Sequence, residues 1–226
     1  MSNIITVGAD YSPNTKYEFK SEDNEVTLRK LDLLPEDHPI LHKEPLLWVF
    51  DPPQADPKRM YEIMLENMVY HKGLGLSANQ IGMPLKVFSM RVDDSDNAIV
   101  CFNPEIIEES KEMVTMEEGC LSYPLLYLKK RRPERLSVKY QNVEGKPVSA
   151  HFEGLAARVF HHEMDHMVGK TFLDGVSKIV LQSARKKQKI LMRKVKKRWN
   201  MISMKKRNKV LQEKQNGWVI RGKDFK

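Results

Sequence analysis

Apolar positions along the chain change period several times, and each change marks an element. Met60, Ile63, Met64, Met68 and Val69 recur near every 3.6 residues, which predicts a helix. Asp56-Pro57 supplies its cap and first helical position, and His71-Lys72-Gly73 its stop. Upstream, the prolines of residues 39–54 read as extended segments and turns. Downstream the period shortens: LKVFSMRV (85–92) and NAIVCFN (97–103) are short, β-branched and aromatic, and the polar run 93–97 between them reads as a turn. RLSVKYQ (135–141) and PVSAHFE (147–153) flank NVEGK and predict a hairpin. A second helix is expected from Leu155 to Val168, with Gly169 as its stop. Strands with a helix packed against them make an α+β domain.

From Ser177 onward the pattern is again helical, with Val180, Ala184, Leu191, Val195, Trp199 and Ile202 on one stripe. Charge separates this segment from the rest. Residues 177–226 hold 18 of the 38 Lys and Arg but only Glu213 and Asp224 among the acids, a net of +16. The first 176 residues carry 20 basic and 28 acidic side chains, a net of −8. We therefore expect a polar arm over residues 1–30, an acidic domain over 31–176 and a basic helical extension over 177–226.

The remaining composition excludes classes more than it selects one. The apolar and charged fractions, 41% and 30%, suit a globular protein and neither a fibrous nor a disordered one. No apolar run approaches bilayer length, and the N-terminus lacks a basic stretch followed by an apolar one, so a cytoplasmic address is expected. Two cysteines in such a chain, Cys101 and Cys120, are expected as reduced thiols.

The chemistry concentrates in three segments. In His162-Glu163-Met164-Asp165-His166 the two histidines lie four apart, on one face of a helix, where both imidazoles can bind one metal ion. Glu163 follows the first of them, in position to act as a general base. A third ligand must come from elsewhere, and Cys120, in Glu118-Gly119-Cys120-Leu121-Ser122, is the best candidate because a thiolate is a strong soft donor. Cys101, within IVCF, reads as a small buried hydrophobe. Gly73-Leu74-Gly75-Leu76-Ser77-Ala78-Asn79-Gln80 follows a helix rather than a strand, which disfavours a phosphate loop. Its small residues suit a backbone running close to a ligand. The His pair by itself indicates only a metallohydrolase, with a peptidase as one possibility, and the basic tail by itself would suit an RNA-binding protein.

These three segments, in this order, closely resemble the signature motifs of peptide deformylases, over about residues 31–176. The resemblance implies an α+β fold of antiparallel β-sheets around a central HExxH-bearing helix, with an N-terminal helix and, here, a C-terminal basic helix. It also implies a reaction, removal of the formyl group from N-formylmethionyl peptides with release of formate. Metal ligands carry over to Cys120, His162 and His166, and the catalytic glutamate to Glu163. The ion implied is Fe2+, one per chain, with Zn2+, Ni2+ or Co2+ as substitutes. Gln80 and the Leu121 N–H would stabilise the oxyanion. Leu74, Gly75, Leu76, Gly119 and Val159 would line the substrate site. Some members dock on the ribosome through a C-terminal helix, which suggests the same for this tail. The sequence departs from the pattern at His161, where glutamine is usual, at Tyr127, where a basic residue helps anchor substrate in some members, and in its arm and tail.

Overall fold

The helical stretch begins as its sequence requires. Asp56 sits outside the helix in extended geometry and its carboxylate accepts from Lys58 N–H at 2.9 Å, with Pro57 next in line. In the computed structural model, which describes residues 4–6, 30–93 and 97–219 (4–6 and 207–219 as backbone only), this helix, α1, is Pro57–Tyr70. Its buried face is Met60, Met64, Asn67 and Met68. Val69, expected on that face, is exposed; position 67, seven residues beyond Met60, takes the inward place. Asn67 tolerates burial because its amide donates to Ile63 O and accepts from Leu31 N–H, both at 2.8 Å.

Among the described residues, eight strands follow or flank it: β1 (Ile4–Thr6), β2 (Gly75–Ser77), β3 (Val87–Arg91), β4 (Ala98–Glu109), β5 (Met113–Cys120), β6 (Tyr123–Pro133), β7 (Arg135–Gln141) and β8 (Pro147–Glu153). Six form a sheet in the order β1-β8-β7-β4-β3-β2, and β5 and β6 form a separate two-stranded ribbon. Among the described residues, all pairings between these strands are antiparallel except β1 on β8. The predicted hairpin is β7–β8, register Arg135↔Glu153 to Gln141↔Pro147. Residues 94–96 of the expected turn lie outside the described residues, as does most of the expected arm, of which residues 4–6 form β1.

The second helix, α2 (Gly154–Met167), packs Ala157, Val159, Phe160 and Met167 against Phe88, Met90, Leu136, Val138 and Phe152 of the sheet. Phe160 meets Phe88 edge-on at 5.1 Å. α1 closes a second cluster, in which Met60, Met64 and Met68 pack with Trp48, Leu76, Val87 and Phe102. The HExxH-bearing helix is thus held by the sheet along one side. Gly169 stops it at φ +68, where a Cβ would lie 2.8 Å from the backbone of Lys43 and Glu44. Cys101 is a free thiol in the first cluster, and burial pushes its pKa up.

The chain divides into two compact units, residues 1–176 and 177–226. The second contains one long helix, α3 (Lys178–Val219), on which Val195, Trp199 and Ile202 are exposed among the lysines and arginines. No helix among the described residues is long and apolar enough to cross a membrane.

Candidate metal centre

Three elements deliver the site. α2 presents His162 and His166, one turn apart, with ring centroids 5.5 Å from each other. β5 ends on Cys120, and its pairing with β6 shifts register between Gly119 and Cys120, the kind of irregularity that re-aims a side chain. Cys120 Sγ lies 3.5 Å from His166 Nε2. One donor atom from each of Cys120, His162 and His166 falls within 4.8 Å of the others, the only such cluster among the described residues.

The third element is β2 with the 3-10 turn Ala78–Ile81. The Gln80 side-chain amide donates to Cys120 Sγ at 3.3 Å and to Ser122 Oγ at 3.1 Å, and its carbonyl accepts from Ser77 N–H at 2.9 Å. Asn79 donates to His166 O at 3.2 Å, tying this turn to α2. Gly75 is required here because a Cβ would overlap the Glu163 carboxylate. The glycine segment and the HExxH helix therefore meet backbone to side chain.

Glu163 is buried, and its Oε2 has no hydrogen-bond partner. Burial pushes its carboxyl up to about 7, against the opposing pull of His162. His166 is pushed down to about 3 by burial, with the positive charge of His162 adding to the effect. Burial also works against the charged form of His162, but hydrogen bonds to Cys120 and Glu118 outweigh it and raise the pKa to about 10. The surroundings thus favour positive charge between Cys120 Sγ and Glu118, while His166 keeps a free lone pair. A thiolate and two imidazoles converging there suit a divalent ion of the Fe2+–Zn2+ group, and the donor set fits.

Around the ligands lies a buried ionic network of Glu118, Asp165, Arg132 and Arg158. Glu118 accepts from Arg132 Nε at 2.6 Å and Nη2 at 2.8 Å, and from Arg158 Nη1 at 2.5 Å, and its Oε2 faces His162 Nδ1 at 3.3 Å. Arg132 Nη2 also donates to Asp165 at 2.9 Å. Burial would raise the Glu118 pKa, but its bonds to His162 and Arg132 hold it well below the carboxylate range. Glu118 and Asp165 stand in recognisable motifs. Arg132 and Arg158 carry no local signal, since Arg132 sits in the charge-dense KKRRP and its partners are 14 and 33 residues away.

Of the other residues singled out from the sequence, Leu74 is half-exposed and Leu121 partly buried. Gly119 is covered by the ring of Tyr127, 3.0 Å from where its Cβ would stand. Leu76 and Val159 lie in the second and first clusters, respectively.

Comparison with known proteins agrees with this geometry. Residues 30–182, more than half of the chain, match the family model of polypeptide deformylase. The chain belongs to the peptide deformylase family. Among deformylase relatives, the peptide deformylase of Thermotoga maritima is 41% identical over 139 residues, covering 62% of this chain and 84% of the relative. That of Bartonella henselae is 40% identical over 144 residues, 62% of this chain and 78% of the relative. A deformylase crystal structure from Legionella pneumophila superposes with a TM-score of 0.64 at 33% identity, covering 73% of this chain and 96% of that one. Deformylases are metal-dependent, and Cys120, His162 and His166 are this member's possible metal site.

Proposed function

We propose that Cys120, His162 and His166 hold one divalent ion, Fe2+ in the cell, and that Glu163, Gln80 and the Leu121 N–H act on the formyl group beside it. The activity itself comes with the family: a hydrolase that removes the formyl group from the N-terminal methionine of nascent polypeptides and releases formate. The observation that carries the residue assignment is the convergence of a thiol and two imidazoles next to a buried carboxylate with an unpartnered oxygen. Zn2+, Ni2+ and Co2+ suit the same donors.

When bound, the ion supplies Lewis-acid polarisation of the formyl oxygen and lowers the pKa of water. Glu163 takes a proton from the attacking water, which adds to the formyl carbon. As the C–N bond breaks, Glu163 returns that proton to the departing amine, leaving formate and a free N-terminus. Gln80 Nε2 and the Leu121 N–H donate to the oxyanion that develops on the formyl oxygen, each such donor contributing on the order of 10²–10³-fold. Leu74 and Val159 take the methionine side chain, and Gly75, Leu76 and Gly119 present backbone to the peptide. The expected result with anaerobically purified protein is stoichiometric formate from a formyl-Met peptide, lost on chelation and restored by Fe2+. Cleavage of internal peptide bonds without need for a formyl group would overturn the substrate assignment.

The reading extends to the second unit, as a contact with ribosomal RNA in the cytoplasm. A helix of net positive charge releases counterions on meeting phosphates, which makes binding strong at low salt and weak at high salt. Deleting residues 181–226 is expected to abolish co-sedimentation with ribosomes at low salt and to leave formate release intact. Unchanged co-sedimentation would remove this partner.

A further inference from the structure

His161 precedes the first metal-ligating histidine yet points the other way, toward Arg132 and the surface. Its Nδ1 lies 2.7 Å from Arg132 Nη1 and its Nε2 lies 3.1 Å from Glu109 Oε1. The directions of these bonds follow from elementary chemistry. A guanidinium only donates, so His161 Nδ1 must accept. The imidazole proton then sits on Nε2 and is donated to Glu109. On the other side, Arg132 gives Nε and Nη2 to Glu118 and Nη2 again to Asp165. Glu118 in turn faces His162 Nδ1 at 3.3 Å, and can accept the proton of that nitrogen when His162 binds an ion through Nε2. The bonds thus run without a break from Glu109, about half-exposed, through His161, Arg132 and Glu118 to His162.

We propose that His161 and Glu109 are positioning residues for the metal centre, forming the outer half of a relay that fixes Arg132 and, through Glu118, the His162 ring. The inner contacts hold one edge of the guanidinium. The bond into His161 fixes Nη1 at its far side, so that rotation of the guanidinium would break a charge-assisted bond there as well as those to Glu118. Glu109 completes the restraint by holding the imidazole in the one tautomer that can accept from Arg132. Without His161 the Nη1 donor is left in a buried setting with no acceptor, and Arg132 can relax only by moving the carboxylate that orients His162. Glutamine is the conservative replacement, because its side-chain oxygen accepts and its amide group donates.

The proposal rests on the reading of Cys120, His162 and His166 as metal ligands, and one titration separates the two. Co2+ is added to the full chain with a chromophoric chelator as competitor, and the visible cobalt bands are recorded together with affinity. His161→Leu is expected to weaken Co2+ binding about tenfold, the lower end of the effect of outer-shell partners on metal affinity, and to shift the cobalt bands. His161→Gln restores both. Glu109→Ala, a surface change that leaves the fold alone, moves both the same way by a smaller factor, and carries the test if His161→Leu does not fold. Wild-type affinity and bands in His161→Leu or, failing that, in Glu109→Ala overturn the relay, as does a glutamine variant no better than leucine. Cobalt bands unchanged in Cys120→Ala would instead overturn the ligand assignment itself, and the relay with it.

Discussion

Glu163→Gln is expected to release formate from a formyl-Met peptide about 10²–10⁴-fold more slowly than the wild type, with metal content unchanged. The substitution keeps the side chain's volume, so its close fit against Gly75 survives and the change is confined to proton transfer. The pH profile gives a second reading. Burial holds the Glu163 carboxyl up to about 7, and a protonated carboxyl cannot accept. Wild-type kcat/KM therefore falls as pH drops through the pKa of this group. A cation on the three donors stabilises the carboxylate, so this acid limb lies below 7. The limb is expected to vanish from the residual activity of Glu163→Gln. Full activity in Glu163→Ala or Glu163→Gln, measured as formate released, would remove the glutamate from the mechanism.

What could be read in the sequence was whatever local spacing determines. Residues four apart on a helix share a face, so the His162–His166 pair was legible before any fold was known. A turn such as NVEGK sets its own hairpin register, and β7 and β8 pair as their residues suggest. Strands β5 and β6 escaped that reading. MVTMEEGC and YPLLYLKKRRP put Glu118 on the face of Cys120 and Arg132 on the face of Leu126 and Leu128, where a charged side chain argues against burial, yet both are buried and neutralise each other across the ribbon. Their burial depends on Arg158 from α2, 40 residues from Glu118, and no window of local sequence contains both partners. The same limit explains Asn67: its inward position follows from helix geometry, but its tolerance for burial depends on Leu31, 36 residues upstream. The third ligand is an intermediate case. A soft donor beside a glycine marks Cys120 as able to bind a metal and the apolar run IVCF sets Cys101 aside, while the register shift in β5 where Cys120 sits is displayed only by the fold.

Glu118→Ala is expected to be the most destabilising change near the site. Glu118 is the shared acceptor for two arginines that are themselves buried, and none of the three has water to fall back on. Removing the carboxylate leaves Arg132 with Asp165 and His161, and Arg158 with the carbonyls of Lys130 and Val114. Those are partners for hydrogen atoms, but the two guanidinium charges exceed the one carboxylate left beside them. Breaking a buried pair on one side costs roughly 3–5 kcal/mol, in contrast to an exposed pair such as Arg135–Glu112, whose loss is expected to go nearly unnoticed. The sign with pH follows from the direction of the Glu118 shift. Its folded pKa lies well below the ordinary value, so its contribution is complete above about pH 4.3 and declines as pH falls below it. Thermal unfolding of the wild type is therefore expected to lose stability between about pH 5 and 3 more steeply than that of Glu118→Ala. Metal affinity gives an independent measure: without Glu118 the His162 Nδ1–H loses its acceptor, which weakens binding about 10–100-fold. Equal melting temperatures for the variant and the wild type at neutral pH would mean that the arginines, not the carboxylate, hold this network together.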